Sequence, residues 1–396
     1  MSDGAATPFV TNKYRVLAFC ATFDPGFRGG GPVRSMTRLV DTVSSNIDLK
    51  LITSDRDLGA TEPYPGLSGC WTNRGRSLVF YLNTRAIPQW LRLWRGISRE
   101  PYNLIYTNSL WCLSHTIIPI LAIRFGLMKA ERILIAPRGE LSPGALGQKS
   151  RKKELFLWFW KPILQSLPIT WHASSNQEAS DIRETFPRGS VKVVTNQVTL
   201  PPQSSKHVST PGTILRLVFI SRISRMKNLL IAIQALQNLK IPVDFDIFGP
   251  IEDRRYWTEC QRAIEAPTSL GRITYQGELR PADVPVTFGK YDAFLFPTKG
   301  ENFGHVIAES LSASCPVICS DRTPWTEILE TGGGAVVPAL TELTLRREIS
   351  RIAALTPRER SDLKAAAGQA YDRWQQTIKD INILDLIREA RSEPRT

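Results

Sequence analysis

The chain has 396 residues, which suggests two or three domains, and 42% hydrophobic with 22% charged residues is globular usage, not disorder. Its net charge of +13 is uneven: residues 1–200 hold 25 Lys+Arg against 14 Asp+Glu, and residues 201–396 hold 25 against 23, so the first half is expected to face something anionic. Six Cys without disulfide or metal spacing, four His, a polar stretch at 1–12 without the apolar core of a signal peptide, and no run of 18 apolar residues argue against disulfide-framework, His-rich metal, secreted and membrane-spanning classes. The cysteines read as reduced core thiols of a cytosolic protein.

In chain order, residues 15–20 (RVLAFC) form a short apolar strand, followed by a loop with Gly26, Gly29, Gly30 and Gly31 and a helix that begins near Pro32. Further strands are expected at 49–53, 78–82, 103–107, 133–137, 169–173 and 191–195, with helices between several of them, notably 114–128 and 176–185. Residues 200–212 (LPPQSSKHVSTPG) read as a linker. The alternation then restarts, with strands at 215–221, 243–248, 273–276, 292–296 and 316–320 and helices at 229–239, 256–265, 304–314 and 342–354. Two helical stretches, 358–370 and 371–390, close the chain. Short buried strands alternating with helices predict an α/β fold of two doubly wound parallel sheets, and ligands of such sheets sit at the carboxyl ends of the strands.

Residues 292–325 (DAFLFPTKGENFGHVIAESLSASCPVICSDRTPW) carry the strongest pattern. A buried strand ends at Pro297, the loop carries Glu301, a helix opens near Phe303 and Gly304, and Glu309 lies two turns into it. The opening turn offers free N–H groups and the positive end of the helix dipole. On spacing alone, the two glutamates serve equally well as a cap and a surface residue, or as a bracket around a polyhydroxylated molecule. A second cluster lies at 219–228 (FISRISRMKN), where Arg222, Arg225 and Lys227 follow a strand and precede a helix. Cations at such a junction suit a diphosphate; Arg225 reads better as a solvated side chain.

Arg222 with Lys227, followed by Glu301 and Glu309 in ENFGHVIAE, resembles the retaining family 4 glycosyltransferases, the glycosyl transferases group 1. Phe248–Gly249, Gln276–Gly277, Pro316 and Trp325 fit the resemblance, as do Gly29–Gly30–Gly31, Ala136–Pro137–Arg138–Gly139 and Asn196 in the first half. The resemblance extends from about Arg15 to Leu384. It implies a GT-B fold: an acceptor-binding Rossmann-like domain at 1–200, a linker at 201–212, a nucleotide-sugar-binding Rossmann-like domain at 213–370, and a C-terminal helix at 371–396 that returns to the first domain. It also implies a nucleotide-sugar donor, with no metal or cofactor. Arg222 and Lys227 would hold the donor diphosphate, Glu309 the ribose hydroxyls, and Glu301 would lie against the transferred sugar. The backbone of Asn302, Phe303 and Gly304 would bind sugar hydroxyls or phosphate, and Gly29, Gly30 and Gly31 would let the first domain approach the diphosphate.

Many relatives place a His at the end of the fourth strand of the first domain, where this chain has Asn108. Asn can hydrogen-bond a sugar hydroxyl but is no base at neutral pH. His115 is expected to pack or cap in the following helix. The resemblance therefore implies a reaction in which the donor phosphate oxygen takes the acceptor proton on the same face, with retention. Arg138 and Glu140, in PRGEL after a first-domain strand, are either acceptor-site residues or a structural pair.

Residues 148–160 (QKSRKKELFLWFW) place Lys149, Arg151, Lys152 and Lys153 before a run of Leu, Phe and Trp. A basic cluster with an aromatic helical face suits an anionic membrane surface; the same run also suits a core helix with a charged rim. Nucleic acid is not expected, because no helix-turn-helix, zinc-finger or RNP pattern occurs. The sequence thus predicts a cytoplasmic-face, peripheral glycosyltransferase of surface polysaccharide assembly, with a glycan or lipid-linked saccharide as acceptor. The rival readings are a sugar-nucleotide epimerase of the same fold and an inactive nucleotide-sugar-binding subunit.

Overall fold

The structure, a computed structural model, describes residues 13–147, 150–195, 199–206, 212–237, 239–266, 271–378 and 381–390. Lys149, Asn196 and part of the expected linker and C-terminal segment lie outside the described residues, as do the side chains of Arg151 and Lys152.

Two sheets form. The first contains β1 (Tyr14–Cys20), β2 (Ile47–Ser54), β3 (Trp71–Arg74), β4 (Ser77–Leu82), β5 (Tyr102–Asn108), β6 (Ala130–Ala136), β7 (Ile169–Ala173) and β8 (Ser190–Val193), in the order β3-β4-β2-β1-β5-β6-β7-β8. All neighbours are parallel except β3 and β4, which pair antiparallel at one edge. The second contains β9 (Leu215–Ile220), β10 (Val243–Phe248), β11 (Arg272–Gly277), β12 (Ala293–Phe296), β13 (Val317–Ser320) and β14 (Gly334–Val337), all parallel, in the order β11-β10-β9-β12-β13-β14.

Both orders follow from strands that are apolar on both faces. In β1, Val16 and Ala18 pack into one layer with Met36, Leu39 and Val40, while Leu17 and Phe19 pack into the opposite layer with Leu93 and Ile97. A strand covered on both sides needs helices on both sides, and this gives the doubly wound arrangement. The strand order reverses between β1 and β5 in the first sheet and between β9 and β12 in the second. The loops after these four strands therefore open at the carboxyl-end crevice of each sheet.

The chain end differs from expectation. One helix, Pro357–Thr377, runs through the expected boundary at 370/371 and stays with the second domain. It is anchored there by the buried Arg360–Asp292 ion pair at 3.3 Å. The return to the first domain is made by the short helix Ile383–Glu389, whose Ile383, Leu384 and Ile387 complete the layer under β1. Asn382 Nδ2 donates to Leu39 O at 2.9 Å and pins this crossing. The cysteines are all free, but only Cys20, Cys260, Cys315 and Cys319 are buried; Cys70 is exposed and Cys112 half-buried, so those two are not core thiols.

Candidate active site

The two sheets face a cleft of about 950 Å³, lined from the first domain by Gly30, Gly31, Arg34, Arg138, Gly139 and Glu140, and from the second by Arg222, Lys227 and the run Glu301–His305. The loops after β1 and β6 line it from the first domain, and the loops after β9 and β12 from the second.

In the second domain, Lys227 closes the turn after β9. Its ammonium pairs with Glu301 and lies 5.5 Å from the centre of the Phe296 ring. Thr298 Oγ1 also donates to Glu301 Oε1, at 3.3 Å. Arg222 sits at the cleft edge, 3.0 Å from Glu252, half-exposed. Arg225 points away and pairs with Glu259. The helix His305–Ser312 opens at Gly304, which is left-handed with φ 79°. Among the described residues, the backbone N–H groups of Asn302, Phe303 and Gly304 donate to nothing. Three free donors at a helix start form a ready cradle for oxygen atoms.

Glu309 does not line the cleft surface; Arg34 of the first domain reaches over and pairs with it. His305 packs on Gly31, where a Cβ would lie 2.6 Å from His305 Cδ2. Burial, with the Arg34 and Arg138 charges, pushes the His305 imidazole down to about 3, so the ring is neutral at pH 7. The three glycines thus divide their work. Gly30 needs its positive φ of 67°, Gly31 admits His305, and Gly29 lies away from the cleft surface against Thr22 and Val33.

In the first domain, Asn108 ends β5 and is buried behind the cleft wall. It supports Arg138, whose Nε donates to Asn108 Oδ1 at 2.8 Å while Nη2 donates to Tyr106 Oη at 2.9 Å. Arg138 has φ 58°, a backbone state that costs a non-glycine residue about 1 kcal/mol or more. Glu140 turns back and accepts from Ser109 Oγ at 2.8 Å; burial raises its carboxyl pKa, opposed by the Leu110 N–H and the Ser109 hydroxyl. Arg138 and Glu140 therefore share the turn but are not a salt-bridged pair. His115 is fully buried, 2.8 Å from Ser114 Oγ and away from the cleft.

Sequence reasoning missed three residues: Arg34, His305 and Glu178. Glu178 is 2% exposed and binds both domains, accepting from Gly139 N at 2.6 Å and Ser174 N at 2.7 Å, and from Asn302 Nδ2 across the cleft at 2.9 Å. Arg34 did carry a signal. A cation in the first turn of a helix opposes the helix dipole and needs another partner.

Residues 203–369 match the family model of glycosyl transferases group 1. The matched stretch is the second domain and its flanking segments. The cations, Glu301, Glu309 and the three free N–H groups all belong to it. Over 122 residues the chain is 27% identical to O-antigen chain mannosyltransferase B of Escherichia coli, an alignment that takes in 29% of this chain and 31% of that protein. The chain thus spans about a third of the length of that curated relative. The whole fold is GT-B. Sucrose-phosphate synthase from Thermosynechococcus elongatus superposes with a TM-score of 0.70 at 14% identity, over 96% of this chain and 99% of that one. HepE from Anabaena, in complex with UDP-glucose, superposes with a TM-score of 0.65 at 16% identity, over 96% and 99%.

Proposed function

We propose that the protein is a retaining glycosyltransferase that moves a sugar from a nucleotide sugar to a glycan or lipid-linked saccharide in cell-surface polysaccharide assembly. The observation that carries this reading is the convergence of Arg222, Lys227, Glu301 and the free N–H groups of Asn302–Gly304 on one wall of an interdomain cleft. The similarity to an O-antigen mannosyltransferase and the fold shared with a UDP-glucose complex support it.

On this reading the diphosphate displaces Glu301 from Lys227 and is held by Lys227 and Arg222. The bond between the anomeric carbon and the diphosphate oxygen breaks, and the acceptor oxygen bonds to that carbon from the same face. The departing phosphate oxygen takes the acceptor proton, so no side-chain base is required. The two cations stabilise the charge that develops on the leaving group, and the reading calls for no metal. Glu309 receives the ribose hydroxyls, and Glu301, once released, lies against the transferred sugar.

We also place the enzyme peripherally on the cytoplasmic membrane face. The helix Ser150–Gln165 divides its apolar residues: Trp160 is 4% exposed and packs in the core, whereas Leu155, Trp158 and Phe159 are 59%, 67% and 60% exposed. Their setting in the basic half of the chain suits anionic lipid. Among the described residues no helix is long and apolar enough to cross a membrane.

A thermal-shift series with UDP, GDP, ADP and their sugars, followed by a transfer assay with the stabilising donor, tests the activity. One nucleotide should raise the melting temperature, and its sugar should appear in product with retained anomeric configuration. Stabilisation by none of them would contradict the reading.

A further inference from the structure

We infer that Arg138 is the centre of an anion subsite on the first-domain wall of the cleft, and that it takes a phosphate or carboxylate group of the acceptor. This deepens the glycosyltransferase reading and rests on it for the word acceptor.

Of the cations that line the cleft, Arg138, Lys299 and Arg322 have no ion pair among the described residues, and Arg28 pairs with Glu278. Arg34, Lys227 and Arg222 each have a carboxylate, on Glu309, Glu301 and Glu252. Among the described residues Arg138 has none within ion-pairing distance. The acidic side chains on or bound to its turn are committed elsewhere. Glu178 spends its oxygens on Gly139 N, Ser174 N, Ser174 Oγ and Asn302 Nδ2, and Glu140 is held by Ser109 and Leu110.

The guanidinium is nevertheless fixed in direction, by neutral groups. His172 Nε2 lies 3.0 Å from Val194 O, so it carries the proton and donates. His172 Nδ1, 3.1 Å from Tyr106 Oη, must then accept the Tyr106 hydroxyl hydrogen. That leaves the Tyr106 oxygen to accept from Arg138 Nη2 at 2.9 Å, while Asn108 Oδ1 accepts from Nε at 2.8 Å. Burial pushes His172 down to about 3, so the relay stays neutral. Arg138 Nη1 donates to nothing among the described residues, and Asn108 Nδ2, on a side chain 5% exposed, has no partner.

The position points to the acceptor. A Cβ on Gly139 would lie 3.3 Å from Asn302 Cβ, so the Arg138 turn abuts the loop proposed to hold the transferred sugar, but from the opposite domain. A guanidinium held on one side and open on the other suits an oxyanion bound by two N–H groups. A phosphate next to the attacked sugar and a uronic carboxylate share that chemistry.

The test uses the full-length protein and two probes. First, inorganic phosphate binding is measured by calorimetry in an R222A/K227A background, which lacks the proposed diphosphate grip. Phosphate should still bind, adding Arg138→Gln should weaken it about tenfold, and Arg138→Lys should keep part of it. Thermal unfolding checks that each variant folds, and Arg138→Lys supplies the conservative control. No phosphate binding in the background protein, or binding indifferent to Arg138→Gln, overturns the subsite. Second, binding of whichever of UDP, GDP or ADP stabilises the wild type is compared with its binding to Arg138→Gln. Unchanged binding supports an acceptor-side anion; an about tenfold loss would move the anion to the donor and overturn the assignment. A wild type that binds no nucleotide would defeat the glycosyltransferase reading and leave the phosphate result standing.

Discussion

Arg34 of the first domain and Glu309 of the second form an ion pair across the cleft. Glu309 is the carboxylate that ribose hydroxyls would occupy, so nucleotide and Arg34 compete for it. Removing the competitor should help the nucleotide. Arg34→Ala is expected to tighten nucleoside diphosphate binding about fivefold, about 1 kcal/mol, for a pair whose side chains are 26% and 11% exposed. Calorimetric titration measures it, and weaker binding would mean that Arg34 itself contacts the nucleotide.

Lys227 and Glu301 show the same pattern inside the second domain. Both side chains are almost enclosed, at 12% and 11% exposure, and they satisfy each other until a diphosphate arrives. Lys227→Ala should lower turnover by at least about 100-fold, the usual cost of losing one charged contact to a developing anion. Circular dichroism should remain unchanged. Wild-type turnover in a folded Lys227→Ala protein would reject the diphosphate role.

Stability should fall in mild acid. Burial depresses His115 to about 4 and His172 to about 3, while both titrate near 6.5 in the unfolded chain. Between those values the unfolded state binds more protons than the folded state, so stability rises with pH there. It is complete above about pH 6.5 and is lost as pH falls towards 4 and then 3, by up to about 1.4 kcal/mol per unit for each ring. Denaturant melts from pH 7 to pH 4 follow it. Replacing His172 by Gln should flatten part of the slope; an unaltered slope would show that this ring does not carry it.

The membrane proposal separates apolar from basic contributions. Replacing the exposed Leu155, Trp158 and Phe159 with Ser should release the protein from phosphatidylglycerol vesicles in a flotation assay and leave the melting temperature close to wild type. Lys153 is turned inward, donating to Ala145 O and lying 5.8 Å from the centre of the Trp111 ring, so neutralising Lys149, Arg151 and Lys152 should weaken binding by about 1 kcal/mol per charge at low salt. Retention of both variants on the vesicles would dismiss this surface as the anchor.

The sheet cores and the second-domain site were legible because their signals are local. The buried strand, loop and helix start around Glu301 are contiguous, and Arg222 with Lys227 sits on one turn. What escaped was short or distant. β3 (WTNR) is a four-residue polar edge strand, and β14 is four residues opening on glycine, so neither has enough length to show a period. Glu178 stands three positions after the Ser175 cap, a spacing that by itself carries no sign of a cleft residue. Its carboxylate instead turns to Gly139 and to Asn302, 124 positions away, a contact that only the facing domains create. Asn108 was correctly placed at a strand end, but its burial behind Arg138 depends on a partner 30 residues further along.

The most direct test of the central claim is a crystal structure of the protein with the nucleotide sugar that stabilises it. The pyrophosphate should lie within hydrogen-bond reach of both the Arg222 guanidinium and the Lys227 ammonium, with the sugar beside Glu301. A donor seated elsewhere, or with its phosphates turned away from those two cations, would contradict it.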